Sequence, residues 1–173
     1  MKKNIAKILA IVILLVLLVG FTSSFTLVKQ TNRINDYTLN KELREKVEKE
    51  TSGMDEMAIL NYSINTAASY LSFTEKNNIN EHQANCVGYA KLCSSICNYA
   101  LKVNHLAGNA KPAVGYVKFN GINTCTVLKN IVPKKYKLFV SNHDFVEFHF
   151  GNQIIYADPC AYDLIGDKCI TYN

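Results

Sequence analysis

The sequence predicts an α+β domain in which N-terminal helices pack on an antiparallel sheet. Two observations predict it. Between residues 54 and 103 apolar side chains recur at the spacing of buried helices, whereas from Ala113 onward the pattern shortens to strand-like runs, AVGYVKF, CTVL, YKLFV, HDFVEFHF and QIIYADP. Helices first and strands afterwards is the order of an α+β chain rather than of alternating βαβ units. The length agrees with one domain, since 173 residues that are 49% hydrophobic and 19% charged have a globular composition.

Ahead of that domain, MKKNIAK is a basic stretch, and ILAIVILLVLLVGF, residues 8 to 21, is an unbroken apolar run of 14. That is the form of an export signal. Two readings fit it: a cleaved signal peptide, with Thr22-Ser23-Ser24 as the small-residue cleavage site, or an uncleaved anchor that takes in Phe25 to Val28 to approach the roughly 20 residues a bilayer requires. Lys2, Lys3 and Lys7 precede the run, and the positive-inside rule then places everything after it outside the cytoplasm. The organisation expected is therefore a signal anchor or signal peptide over 1–28, a polar helical spacer over 29–53, and the main folded domain over 54–173. The location expected is membrane-anchored and extracytoplasmic, or secreted if the signal is cut.

The formal charge of +5 owes much to those three lysines, because the remaining 16 basic residues face 14 acidic ones, leaving +2. A nearly neutral exported part carries no nucleic-acid footprint, and the Lys134-Lys135-Tyr136-Lys137 cluster reads as a solvated loop. The partner expected through the N-terminal segment is a membrane.

Taken in order, Asn40 to Glu50 is a charge-alternating helix, a solvated spacer or a first surface helix. In Met54 to Phe73, the residues Met57, Leu60, Ile64, Ala67 and Leu71 fall at helical spacing and define a core-facing helix. Glu75 to Glu81 reads as a loop. Cys86 to Val103 reads as a second buried helix, with Ala90, Cys93, Ile96 or Cys97, and Ala100 or Leu101 on one face.

Six cysteines in an exported chain suggest disulfides. If Cys86 is kept free for chemistry, five remain, and the local pair Cys160 and Cys169 is the easiest to bridge. A zinc site from Cys93, Cys97 and a histidine is the other use of such thiols, but a C-x3-C on a helix lacks a second matched ligand pair.

Cys86 differs from the other thiols by position. Asn85 is a favoured N-cap type, so Cys86 stands in the first helical turn, where unpaired N–H groups and the helix dipole favour a thiolate. Cys93 and Cys97 fall further along, where apolar packing would raise a thiol pKa.

A base for Cys86 is suggested by the strand register. HDFVEFHF and QIIYADP flank Gly151-Asn152, a Gly-first pair of the kind that closes a II′ hairpin. With a two-residue loop, Phe150 opposes Gln153, Phe148 opposes Ile155, Val146 opposes Ala157 and Phe145 opposes Asp158. His143 then lies diagonal to Asp158 at about 7 Å, within reach of a hydrogen bond between long side chains. Period-two alternation sends Asp144 to the opposite face, and His149 lies roughly 20 Å along the strand from His143.

These segments together resemble the transglutaminase-like superfamily of papain-type fold over about residues 83 to 159. Cys86-Val-Gly-Tyr-Ala resembles the family's C-x-G-Y-A stretch, Ala107-Gly108 with Lys111-Pro-Ala-Val-Gly-Tyr-Val117 its A-G-x…V-x-G-Y segment, and His143-x-Phe-x-Glu with Asp158-Pro159 its H-x-W-x-E and D-P. The chain departs from the pattern at Ala84, where a glycine is usual, at Asp144, where a small residue is usual, and at Phe145, which replaces the tryptophan. The resemblance implies a papain-like, transglutaminase-like core with Cys86 as nucleophile, His143 as general base and acid, and Asp158 as the group that orients the imidazole. It implies no cofactor and no metal. The activity implied is acyl transfer at peptide amides in a peptide or protein substrate, as a cysteine peptidase or amidase; a crosslinking transferase and a catalytically silent binding module of the same fold are the alternatives. For the oxyanion, the Cys86 amide and a side chain just upstream, Gln83 or else His82, are the candidate donors, each worth roughly 3 to 4 kcal/mol.

Overall fold

Each helix starts at an Asn or Asp whose side chain takes up an amide of the first turn, the group that the helix itself leaves unpaired. In the computed structural model, which describes residues 25–123 and 142–173, Asn40 caps α1 (Lys41–Glu50) at the Leu43 amide and Asp55 caps α2 (Glu56–Tyr70) at the Ala58 amide. Asn85 caps α3 (Cys86–Val103) at the Val87 amide, and Asp158 caps α4 (Pro159–Ile165), where Pro159 fills a first-turn position that needs no donor.

The strands are β1 (Phe25–Asn32), β2 (Ser72–Phe73), β3 (Gln83–Ala84), β4 (Asn109–Phe119), β5 (Ile122–Asn123), β6 (His143–Phe150), β7 (Gln153–Ala157) and β8 (Thr171–Tyr172). The main sheet runs β1-β4-β6-β7-β8, with β5 also on β4, and all of its pairs are antiparallel. It curls until its two edges meet, where the Leu27 amide of β1 donates to Oγ1 of Thr171 in β8 at 3.1 Å. β2 and β3 form a separate short parallel pair that ends directly ahead of α3.

The α+β expectation holds, with an antiparallel curled sheet and the helices on one side of it. α3 is the centre of the core: Tyr89, Ala90, Leu92, Cys93, Ile96, Cys97 and Ala100 are all fully buried. They pack with Leu43, Val47, Ile59, Leu60 and Ile64 from α1 and α2, and with Val146, Phe148, Ile155 and Ala157 from the sheet. A second, smaller cluster of Leu27, Ala113, Phe145, Tyr156 and Cys169 belongs to the opposite strand faces.

Three expectations are corrected. Phe25 to Val28 does not extend an anchor: residues 25–32 form β1, paired with β4 from Phe25↔Phe119 to Asn32↔Ala113. Residues 29–53 are likewise no spacer, because α1 buries Leu43 and Val47 in the main core. The physical reason is that the partner which makes residues 25–32 a strand, β4, is supplied by a segment far along the chain. Met57, expected in the core, is 37% exposed, since α2 turns Ile59, Leu60, Ser63, Ile64 and Ala67 inward. The residues 8 to 21 and the expected strands CTVL and YKLFV lie outside the described residues; among those described, no helix is long and apolar enough to cross a membrane.

Ile64→Ala should therefore cost about 2–5 kcal/mol in urea unfolding, as a core truncation does, whereas Met57→Ala should change stability by no more than about 0.5 kcal/mol.

Candidate active site

Gly151 adopts φ +56 and Asn152 is not left-handed, which is the pattern of a II′ turn. The hairpin it closes has the register expected from the sequence, with Phe150↔Gln153, Phe148↔Ile155 and Val146↔Ala157. One step beyond the ladder, Asp158 hydrogen-bonds Nε2 of His143 through Oδ2. Its other oxygen, Oδ1, accepts from the amides of Cys160 at 3.0 Å and Ala161 at 2.9 Å. The Asp-Pro pair thus starts α4 and holds the imidazole with the same side chain.

Cys86 is the first residue of α3, and its position is set by two asparagines. Oδ1 of Asn77 accepts from the Asn85 amide at 2.9 Å and the Gly88 amide at 3.2 Å, while Oδ1 of Asn85 accepts from the Val87 amide at 3.0 Å. These bonds take up the amides on either side of Cys86 and, among the described residues, leave the Cys86 amide as the one at the helix start without an acceptor. Gly88 is required for this arrangement: a Cβ there would stand 2.4 Å from Cβ of Ala84 and 2.8 Å from Oδ1 of Asn77.

The Cys86 thiol and the His143 imidazole interact, and Cys86 favours the protonated ring. Nε2 of that ring is committed to Asp158. Cys86, His143 and Asp158 are each no more than 1% exposed. Burial by itself would lower the His143 pKa, but the Asp158 carboxylate, by its charge and its hydrogen bond, and Cys86 behind it raise the pKa to about 10. The ring is therefore an imidazolium at neutral pH.

The other thiols are placed differently. Burial drives the Cys93 pKa well above its ordinary value and pushes Cys97 up to about 12 against a hydrogen bond from Ser63. Cys160 and Cys169 are also buried with raised pKa values. The expected bridge between those two is corrected: both are free thiols. Cys160 packs into the main core at the start of α4, whereas Cys169, at φ +48, belongs to the second cluster on the other side of the sheet. Nearness along the chain did not bring the sulfurs to one place.

Of the two upstream candidates, Gln83 lies exposed on β3, and its backbone bonds Asn78 in both directions. Among the described residues no hydrogen bond joins its side chain to the buried trio. His82 is committed elsewhere, with Nδ1 on the Tyr70 carbonyl at 3.0 Å and its ring 4.1 Å from the Tyr70 ring. Sequence reasoning missed two participants. Asn77 sits in the stretch EKNNINE, read only as a loop. Arg33, in the stretch read as a spacer, makes a two-pronged ion pair with Asp144 through Nε and Nη2. Asp144, the neighbour of His143, is thus paired with Arg33 and is not idle. Further along β6, Glu147 is buried between Lys29 and His149, and these two hold its pKa low against the opposing effect of burial.

No protein-family model matches the chain, and it has no significant similarity to a curated protein or to a solved structure.

Two outcomes follow. The folded state holds a proton on His143 that the unfolded chain releases near pH 6.5, so this residue's contribution to stability is complete below about pH 6.5 and is lost as pH rises through about 10. The stability of the chain relative to His143→Gln should accordingly shrink across that window, and ring-nitrogen NMR should find His143 doubly protonated at pH 7.5. Peptide mapping without reduction should recover Cys160 and Cys169 unlinked; a Cys160–Cys169 peptide would contradict the placement of the two thiols.

Proposed function

We propose that the chain is a thiol-dependent acyl-transfer enzyme, a transglutaminase-like cysteine peptidase or amidase that cleaves peptide amides on the outer side of a membrane. One observation carries this reading: a buried imidazole is held by the Asp158 carboxylate and interacts with the Cys86 thiol. Neither the core nor the hairpin needs a buried charge at that place. A buried ion pair is weak stabilisation at best, whereas a thiolate beside an imidazolium is an activated nucleophile.

In this reading the proton shared by Cys86 and His143 rests on the ring, and the thiolate attacks the carbonyl carbon of the amide. The resulting oxyanion meets the Cys86 amide at the start of α3, the donor that Asn77 and Asn85 leave open. The C–N bond then breaks as the imidazolium of His143 protonates the leaving amine. Water, deprotonated by the now neutral imidazole, attacks the thioester, releases the acid and restores the thiolate and the imidazolium. Asp158 keeps the ring oriented through both steps and stabilises its charged form. The extracytoplasmic placement is supported by Lys2, Lys3 and Lys7 ahead of the apolar run.

An activated acyl probe should label Cys86 in the folded chain; Cys86→Ala and His143→Ala should abolish labelling, and Asp158→Asn should slow it by roughly 10²–10⁴-fold. Acylation by an amide should also fall above about pH 10, where His143 loses the proton that the leaving group needs, while alkylation of Cys86 by a neutral reagent should not. A folded chain whose Cys86 takes no acyl group under any of these conditions would identify the domain as a silent binding module.

A further inference from the structure

We propose that Arg33 reads a negative charge on the substrate, so that the acyl group accepted by Cys86 carries a carboxylate beside the carbonyl under attack. The proposal rests on the reading of Cys86 as the nucleophile and adds a substrate class to it. Arg33 directly follows β1, and its amide continues the ladder to the Pro112 carbonyl at 2.9 Å. From there the side chain crosses β4 to Asp144, the neighbour of His143 on β6, and engages both carboxylate oxygens, with Nη2 to Oδ2 at 3.1 Å. The Asp144 side chain is 0% exposed, whereas that of Arg33 is 38% exposed. The pair is therefore asymmetric: a buried anion fixes the guanidinium, and the cation faces outward.

A guanidinium has five N–H donors in a rigid fork, and the pair with Asp144 uses two, so three remain in a fixed orientation that suits a carboxylate. The fork also senses the nucleophile. The hydrogen bond to Asp144 raises the Arg33 pKa, burial opposes this, and the charges of Asp144 and of Cys86 in its thiolate form raise it further. Three residues on, Asp36 and Tyr37 line a groove of about 280 Å³ with Val87, Gly88 and Lys91 of α3. The charges in that groove answer each other, because Lys91 pairs with Asp36. Discrimination between an anionic and a neutral substrate is thereby left to Arg33.

The test compares iodoacetate with iodoacetamide, two thiol alkylators of nearly equal size that differ by one carboxylate, on the full chain in neutral detergent, with the rate at Cys86 read by peptide mapping. Their rate ratio cancels changes in access and in thiolate reactivity. Arg33→Gln should lower the ratio about fivefold to tenfold, the scale of one partly screened charge interaction, and Arg33→Lys should retain most of it. Because Arg33→Gln alone strands Asp144 as a buried unpaired charge, the double variant Arg33→Gln/Asp144→Asn is measured beside it and should show the same fall. In the unsubstituted chain the ratio should drop between low and 0.5 M salt, since an exposed cation is screened and the buried imidazolium much less so. A ratio unchanged in both variants, with Cys86 still reacting, would overturn the role of Arg33 and leave the proposed reaction standing. If Cys86 reacts with neither reagent until the chain is unfolded, the nucleophile reading fails and takes this inference with it.

Discussion

The carboxylate of Asp158 has two oxygens, and each holds a different part of the molecule. Oδ1 starts α4 by accepting from Cys160 and Ala161, and Oδ2 holds His143. A residue that is 1% exposed keeps a negative charge only when its lone pairs are met by donors and its charge by a counter-charge. Both conditions are met here, the first partly by the helix and the second by the imidazolium. The placement of α4, the orientation of the imidazole and the protonation of that ring consequently depend on one side chain. This also explains why a proline follows it: the first turn of α4 can lack one amide there, because Asp158 already serves the next two.

The same economy operates at the other end of the site. A helix N-terminus presents four amides with no partner inside the helix, and at α3 two asparagines from different segments absorb those around Cys86 while the Cys86 amide stays open. Asn77 can do this only because Gly88 has no Cβ, which would otherwise press on both Asn77 and Ala84. The glycine two residues after the cysteine is thus part of what aims the amide, and the short parallel pair β2-β3 brings Ala84 close enough to make it necessary.

How much of this was legible in the sequence follows from how local each cause is. The hairpin register was readable because a two-residue turn leaves no freedom to slip: once Gly151 and Asn152 are the loop, the partner of every residue back to His143 is determined. The start of α3 was readable because Asn85 stands between a polar loop and a helical apolar pattern. Where the cause was remote, reading failed. Nothing local marks Phe25 as the start of a strand, since the partner that makes it one, Phe119, is supplied by a segment far along the chain. Cys160 and Cys169 looked pairable by separation alone, but the sheet lies between the clusters they join. Met57 had the right spacing, and Leu60, Ile64, Ala67 and Leu71 of the same stripe are buried, but it stands in the first turn of the helix, ahead of the part that packs.

Arg33 is the sharpest instance of a remote cause, and its energetics bear on the reading of the site. Joining the end of β1 to β6 with a buried carboxylate is a costly seam, because removing both charges from water consumes most of what their attraction returns; apolar side chains of similar volume would do as well or better. The pair is understandable if the exposed half of the guanidinium has a use, since Asp144 then serves to hold a cation rigid at a place where a free arginine would sample many rotamers. Asp158 favours the protonated form of His143 and Asp144 fixes Arg33, so the sulfur of Cys86 lies in the field of two cations, each steadied by its own buried aspartate. The two differ in exposure: the imidazole is sealed in the core, whereas part of the guanidinium stays open to solvent.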